Sequence, residues 1–349
     1  MKTIYIYFWL ITFIILTQSC QRKRDAIKYK SKITILLKNL NLSSSEETAK
    51  ERILDTLSLF ILANNNDSIN RNLIFKVAEK CYSLNKFDKY LKLSKKALDF
   101  SIQKKDSGNI AKALYYIGNY HADKSQFDSA FSYYNKSEKL YKILNDTLML
   151  GTMSILKGGL LFDTGNFAES ETETIKALKL ISKTKNTSLV YNCYNVIAIS
   201  LKELNNCKKS LDYFNLALKQ LDQLEKENYP TNKIVKSKIA CLNNIGRVYQ
   251  KMENYQIAIN YYEKGLQTKN IKQHFPKSYA LLIDNLGYSK MKAGNYEDVE
   301  KLFLESLRVR DSLGIDLGVA SCKIDIGEYY LLKQDKHKGL AYLKEGYLL

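Results

Sequence analysis

Across residues 71–349, apolar and small positions recur at three- and four-residue spacing between short polar breaks, the pattern of amphipathic helices with one buried face. Residues 111–124 put Leu114, Ile117, Gly118 and His121 on one helical face. After a break at Ser125-Gln126, Phe127, Ala130, Tyr134 and Ser137 do the same. Ala78, Gly118, Gly158, Ala198, Gly246, Gly287 and Gly327 stand 40, 40, 40, 48, 41 and 40 residues apart. Two further series keep those separations, one at Tyr90, Ala130, Ser170, Ser210, Ala258, Val299 and Gly339, the other at Ala97, Ser137, Ala177, Ala217, Gly265, Ser306 and Gly346. A fixed period in this range marks a solenoid or array. Small residues at fixed positions mark where two helices cross closely. Each unit is predicted to be a helical hairpin.

The spacing resembles the tetratricopeptide repeat. Residues 239–266 carry it most fully, with Ile245-Gly246, Tyr249, Asn254-Tyr255, Ala258, Tyr262 and Gly265-Leu266; residues 111–137 and 280–307 follow. The departures are Lys157 at an aliphatic position, Tyr90 and Val299 at a position usually Ala, and Lys336 in place of an aromatic. The resemblance implies an all-α, right-handed α-solenoid of about seven to eight hairpins, with seven repeats at 71–110, 111–150, 151–190, 191–238, 239–279, 280–319 and 320–349. Against the family's unit of about 34 residues, a period of 40 implies second helices longer by about one and a half turns. The eight extra residues of the fourth repeat fall in 219–238, where Tyr229-Pro230 should end an extended helix. Pro276 falls in the linker before repeat six. Upstream, residues 26–42 and 46–64 read as a capping hairpin, with a Ser44/Glu47 capping box and an apolar stripe of Ile53, Leu54, Leu57, Phe60 and Ile61.

At the N-terminus, Lys2 precedes an apolar run over residues 4–16, too short to span a bilayer and of signal-peptide length. Ser19-Cys20 at its end resembles a bacterial lipoprotein signal, although Thr17 stands where the pattern places Leu. The resemblance implies a signal peptide over 1–19, acylated Cys20 as the first mature residue, a linker and cap over 20–70, and a body tethered to the cell envelope facing the periplasm. Acylation at about 0.8 kcal/mol per buried CH₂ would make the membrane attachment durable. An ordinary signal peptide or uncleaved anchor, and a cytoplasmic location, are the alternatives. The other cysteines, Cys81, Cys193, Cys207, Cys241 and Cys322, are odd in number and form no CxxC pair, so buried free thiols are expected.

The formal charge is +18 and the chain holds only 2 Pro and 3 His. No phosphate loop, nucleophile elbow or zinc motif is present, and neither a metal site nor a cofactor is expected. His121 is expected in the core, His274 in a linker and His337 in a loop. The expectation is a non-enzymatic binding protein.

In the family, positions 2, 5, 9, 12 and 13 of each first helix face a groove. Carried onto this chain they include Asn72, Phe75, Tyr82, Tyr115, Asn119, Phe162, Asn192, Asn195, Asn243, Arg247, Gln250, Tyr288 and Glu328. The same positions hold cations at Lys112, Lys202, Arg247, Lys251 and Lys292, and acids at Glu79, Asp123, Asp163, Glu203, Asp284 and Glu328. A near-neutral groove does not fit a phosphate backbone, so no nucleic acid is expected there and the basic excess is expected on second helices and linkers. Aromatics interleaved with amides suit a peptide or protein segment, although such aromatics also pack between repeats. Two functions follow: an exported, lipid-anchored scaffold, or the sensor part of a bacterial regulator without its membrane and output domains.

Overall fold

The computed structural model describes residues 31, 34–36, 38, 47–63, 67–184, 186–227 and 229–348. The expected signal peptide, Cys20, Ser44 and the first helix of the capping hairpin lie outside them, apart from a few residues. So do the side chains of Phe60 and Asn72.

Helices fill the described residues. They are α1 (Glu47–Ala63), α2 (Asp67–Ser83), α3 (Phe87–Gln103), α4 (Ser107–Asp123), α5 (Phe127–Ile143), α6 (Thr147–Asp163), α7 (Phe167–Ile181) and α8 (Thr187–Glu203). Then come α9 (Cys207–Lys226), α10 (Thr231–Lys251), α11 (Tyr255–Leu266), the single turn α12 (Ile271–His274), α13 (Pro276–Lys292), α14 (Val299–Ser312), α15 (Asp316–Leu332) and α16 (Lys336–Leu348). No helix among them is long and apolar enough to cross a membrane. Helix pairs pack as the predicted hairpins.

The helix lengths differ from the sequence expectation. First and second helices of the first two repeats are all 17 residues, so the longer period is not confined to the second helix. First helices begin upstream of the drawn repeat boundaries, at Ser107 rather than 111 and at Thr187 rather than 191. Capping explains the extra turn: the Asp106 carboxylate accepts from the Asn109 amide at 3.1 Å, and Asn186 Oδ1 from the Leu189 amide at 3.0 Å. The fourth-repeat insertion is shared, α9 running 20 residues and α10 running 21. Pro230 stands just before α10, and Pro276 is the first residue of α13 rather than part of a linker. His337 likewise lies in the first turn of α16.

One turn recurs at most of the breaks between helices. Ser125 adopts φ 55° and the Gln126 amide donates to the His121 carbonyl at 2.8 Å. Asn85, Lys105, Asn145, Gly165, Asn205 and Glu253 take the same left-handed position, each followed by an amide reaching five residues back. This Schellman geometry satisfies carbonyls at the helix end and reverses the chain.

At several crossings a small residue receives a large one from sixteen positions later. A Cβ on Gly118 would lie 2.5 Å from Tyr134, one on Gly246 2.5 Å from Tyr262, and one on Gly287 2.9 Å from Phe303. Where serine occupies a crossing, its hydroxyl is bonded across it. Ser170 and Ser210 donate to the Gly158 and Ala198 carbonyls at 2.7 Å, and Ser137 and Ser306 to the Ala111 and Ala280 carbonyls at 2.8 and 3.0 Å. The buried hydroxyls therefore carry no desolvation penalty for lack of a partner.

Two compact units divide the chain, residues 1–153 and 154–349. In the first, the expected stripe of α1 is buried through Leu54, Leu57 and Ile61, against Ile74, Val77, Ala78 and Cys81 of α2 and Tyr90, Leu93 and Ala97 of α3. Each such large aliphatic contributes about 1.5–3 kcal/mol. Cys81, Cys193, Cys241 and Cys322 are buried, Cys207 is half-buried, and all are free thiols. Burial pushes the Cys81 thiol up to about 11 and those of Cys193 and Cys241 up to about 12, so they act as small apolar groups.

In the second unit, Lys157 stands at its aliphatic position because its buried ammonium meets the Glu173 carboxylate at 3.1 Å. Val299, at a position usually small, opens α14 and is buried with Phe303, Cys322 and Ile326. Of the basic excess, α10 holds Lys233, Lys236, Lys238, Arg247 and Lys251 and no acid, so it is not confined to second helices and linkers. Asp325 of α15 lies near Asp284, Glu328, Arg310 and Lys292; burial first, then the two neighbouring acids, push its carboxyl up to about 7. The folded chain therefore holds a proton there that the unfolded chain, with a carboxyl near 3.8, releases. Stability from this group is present below about pH 4 and lost as pH rises to about 7. Asp325→Asn is expected to flatten the urea midpoint between pH 4.5 and pH 8 relative to wild type and to raise it at pH 8; equal slopes for the two proteins would refute the assignment.

Candidate binding site

In the first unit a concavity of about 630 Å³ opens over α4, between α2 and the α5–α6 turn. Positions 112, 115, 116 and 119 follow helical spacing, so Lys112, Tyr115, Tyr116 and Asn119 share one face of α4. Gly108 of α4, Glu79 and Tyr82, three apart on α2, Tyr90 of α3, Tyr141 of α5, and Leu144, Asp146 and Met149 complete the lining. Tyr90, Tyr116 and Tyr141 are buried and form the floor, while Tyr82 is exposed and Tyr115 half-buried.

The floor is held by ring contacts. Tyr90 stacks on Tyr116 with centroids 5.4 Å apart, Tyr82 tilts against Tyr90 at 5.0 Å, and Phe75 meets Tyr116 edge-on at 5.3 Å. Such pairs add about 0.5–1.5 kcal/mol each beyond area burial. Asn119 ties the floor to the hairpin: its Oδ1 accepts from the Tyr134 hydroxyl at 2.9 Å and its Nδ2 donates to the Tyr90 hydroxyl at 3.5 Å. Burial pushes the phenols of Tyr82, Tyr90, Tyr115 and Tyr116 up, so all four are neutral at physiological pH.

At the rim, Glu79 accepts from the Tyr116 hydroxyl and pairs with Lys112 at 3.3 Å. The Lys112 ammonium also lies 4.8 Å from the Phe75 ring centre and 5.4 Å from that of Tyr116. Asp123 faces the Tyr82 hydroxyl, and burial raises its carboxyl. Asp146 accepts from the Met149 amide at 3.0 Å and so starts α6. The lining can exclude water from an apolar surface, present phenol hydroxyls and concentrate charge at its edge.

The site unites five of the groove residues expected from sequence, Glu79, Tyr82, Lys112, Tyr115 and Asn119. Phe75, 1% exposed, belongs to the core. Phe162, half-buried, packs on Phe167 with centroids 5.3 Å apart. In the second unit, Asn192 lines a separate hollow of about 380 Å³ with Tyr191, Tyr229 and Lys233, made possible by the inserted residues of α9 and α10. Asn195 has a buried Oδ1 without a hydrogen-bond partner. Asn243 is buried and accepts from Asn285 Nδ2 at 2.8 Å, while Gln250 donates to the Asn285 carbonyl at 3.0 Å and to Ser289 Oγ at 2.8 Å. These two amides join neighbouring repeats instead of standing free. Arg247 is exposed, and Tyr288 lies under the Lys292 ammonium, which pairs with Glu328 at 3.2 Å. His121 is half-buried, stacked on Tyr133 at 5.3 Å. Tyr90, Tyr116 and Tyr141 were not among the expected groove residues. Tyr90 had left a signal, a bulky ring at a position usually Ala.

Residues 239–270 match the tetratricopeptide repeat family. No curated protein matches the chain in sequence. Among solved structures, the chain is similar to a signal-transduction ATPase with numerous domains bearing a tetratricopeptide repeat sensor, from Pyrococcus horikoshii, at TM-score 0.63 and 16% identity over 85% of this chain and 43% of that one. It is similar to aspartyl phosphate phosphatase F from Bacillus subtilis at TM-score 0.59 and 15% identity, covering 93% and 91%. It is also similar to NprR in complex with its cognate peptide NprX, at TM-score 0.59 and 15% identity over 93% and 89%. At these identities the likeness is one of fold. The chain carries a tetratricopeptide repeat at 239–270 within an all-α fold of the tetratricopeptide-like solenoid class.

Proposed function

We propose that this chain is a non-enzymatic interaction protein that binds a peptide or protein segment in the tyrosine-lined concavity over α4. The carrying observation is that lining: accessible rings at Tyr82 and Tyr115 over a fixed floor of Tyr90, Tyr116 and Tyr141. Rigid, neutral aromatics give contact area at low entropic cost. The peptide complex of NprR, a protein of similar fold, supports the same reading.

The N-terminal sequence supports export and attachment to the envelope through acylated Cys20, and the scaffold would then act at the membrane surface. The likeness to a structure with a tetratricopeptide repeat sensor favours one second reading, in which the same binding event is the input of a regulator.

Selection of phage-displayed random peptides on the purified chain tests the binding. Tight binders are expected whose affinity falls at least tenfold on Tyr115→Ala and on Tyr82→Ala; failure to select any, or equal binding by both variants, would overturn the reading. Labelled palmitate is expected to enter the wild type and not Cys20→Ala, and label unchanged in that variant would remove the anchor.

A further inference from the structure

Around the mouth of the concavity, ring faces and carboxylates lie together. Tyr82 is exposed and Tyr115 half-buried, and the exposed Asp123 carboxyl sits at the Tyr82 hydroxyl. Glu79 and Asp146 add two more acids to the rim, against Lys112 within it and Lys124 beside Asp123. Both lysines are already placed on aromatic faces, Lys112 over Phe75 and Tyr116 and Lys124 over Phe87 at 5.8 Å. The rings of this unit therefore hold cations, and among the described residues none is placed on Tyr82 or Tyr115.

From this placement we infer that the bound segment is recognised through a cationic side chain, arginine or lysine, laid on Tyr82 and Tyr115 with its charge toward Asp123. The inference rests on the peptide-binding reading above and adds the chemistry of the ligand. A cation is drawn to the negative face of a phenol ring, more strongly where water is excluded. A carboxylate beside the rings attracts an incoming cation, and the attraction strengthens as the bound segment displaces water from between them. An acidic segment would meet Glu79, Asp123 and Asp146 at the entrance, and an apolar segment would leave the Asp123 charge beneath it unanswered.

The test uses peptides selected on the wild-type chain. In the tightest binders each arginine is replaced by citrulline, its uncharged near-isostere, and each lysine by glutamine, with affinity read by fluorescence anisotropy. One replacement is expected to weaken binding about tenfold, and Asp123→Asn to weaken the parent peptide similarly. That variant should lose little more on the replaced peptide, because both changes remove the same interaction. Asp123 is exposed at the end of α4, and a thermal melt matching wild type confirms that the variant is folded. Peptides that need Tyr82 and Tyr115 yet carry no essential cation would overturn this inference and leave the groove standing. Peptides indifferent to both tyrosines would overturn the groove itself and this inference with it.

Discussion

Replacing Gly246 by Leu is expected to cost about 3 kcal/mol or more of folding stability, the upper part of the range for overpacking a close contact. The first atom added would lie 2.5 Å from Tyr262 Cε1 and 2.6 Å from Cζ, and Tyr262 is 0% exposed, so its ring has no free space to enter. Either the ring leaves its rotamer or α10 and α11 separate, and separation exposes the cluster of Ile239, Ala258, Ile259 and Leu282 around that ring. Gly159 is the internal control. It too is a helical glycine, but a Cβ there would meet nothing within 4 Å. Gly159→Ala should be neutral or stabilise by up to about 1 kcal/mol through reduced backbone freedom in the unfolded chain. Urea midpoints of the two variants against wild type decide the matter; equal, small shifts would show that the crossing does not depend on its glycine.

That contrast also shows what could be read from the sequence. Three registers of small residues gave the hairpins and their crossings because close approach restricts residue size at a fixed place in every repeat. The partner sixteen positions later escaped as a rule because its identity varies, from Tyr134 and Thr174 to Tyr262 and Phe303. The groove was less legible. Whether Phe75, Asn243 or Gln250 faces solvent depends on the neighbouring repeat: Tyr116 covers the first, and Asn285 takes up the other two. Tyr90 belongs to a second helix, and the first-helix positions of the family could not point to it.

The buried ion pair of Arg310 and Asp284 is the other place where one substitution should have a large effect. The two side chains are 9% and 6% exposed, and Arg310 Nη2 donates to Asp284 Oδ2 at 2.7 Å. Nε donates to Ser306 Oγ and Nη1 to the Gly318 carbonyl, each at 3.0 Å, so one guanidinium links α13, α14 and α15. Gly318 must remain small, since a Cβ there would lie 2.5 Å from Nη1. Arg310→Met removes the cation and leaves a desolvated carboxylate, at an expected cost of about 3–5 kcal/mol. Asp284→Leu should cost a similar amount by stranding the guanidinium. The double variant loses both charges together and should lie within about 1–2 kcal/mol of wild type, giving a coupling that two independent losses cannot produce. The sign with pH follows. Burial already raises the Asp284 carboxyl while Arg310 lowers it, so in Arg310→Met the carboxyl rises further and the folded chain keeps its proton to higher pH. The penalty of that variant is therefore smallest in acid and grows as pH rises. Chemical denaturation of the four proteins at pH 5 and pH 8 measures both effects. Additive costs, or a penalty independent of pH, would show that the pair is solvated and that other contacts hold the last two repeats together.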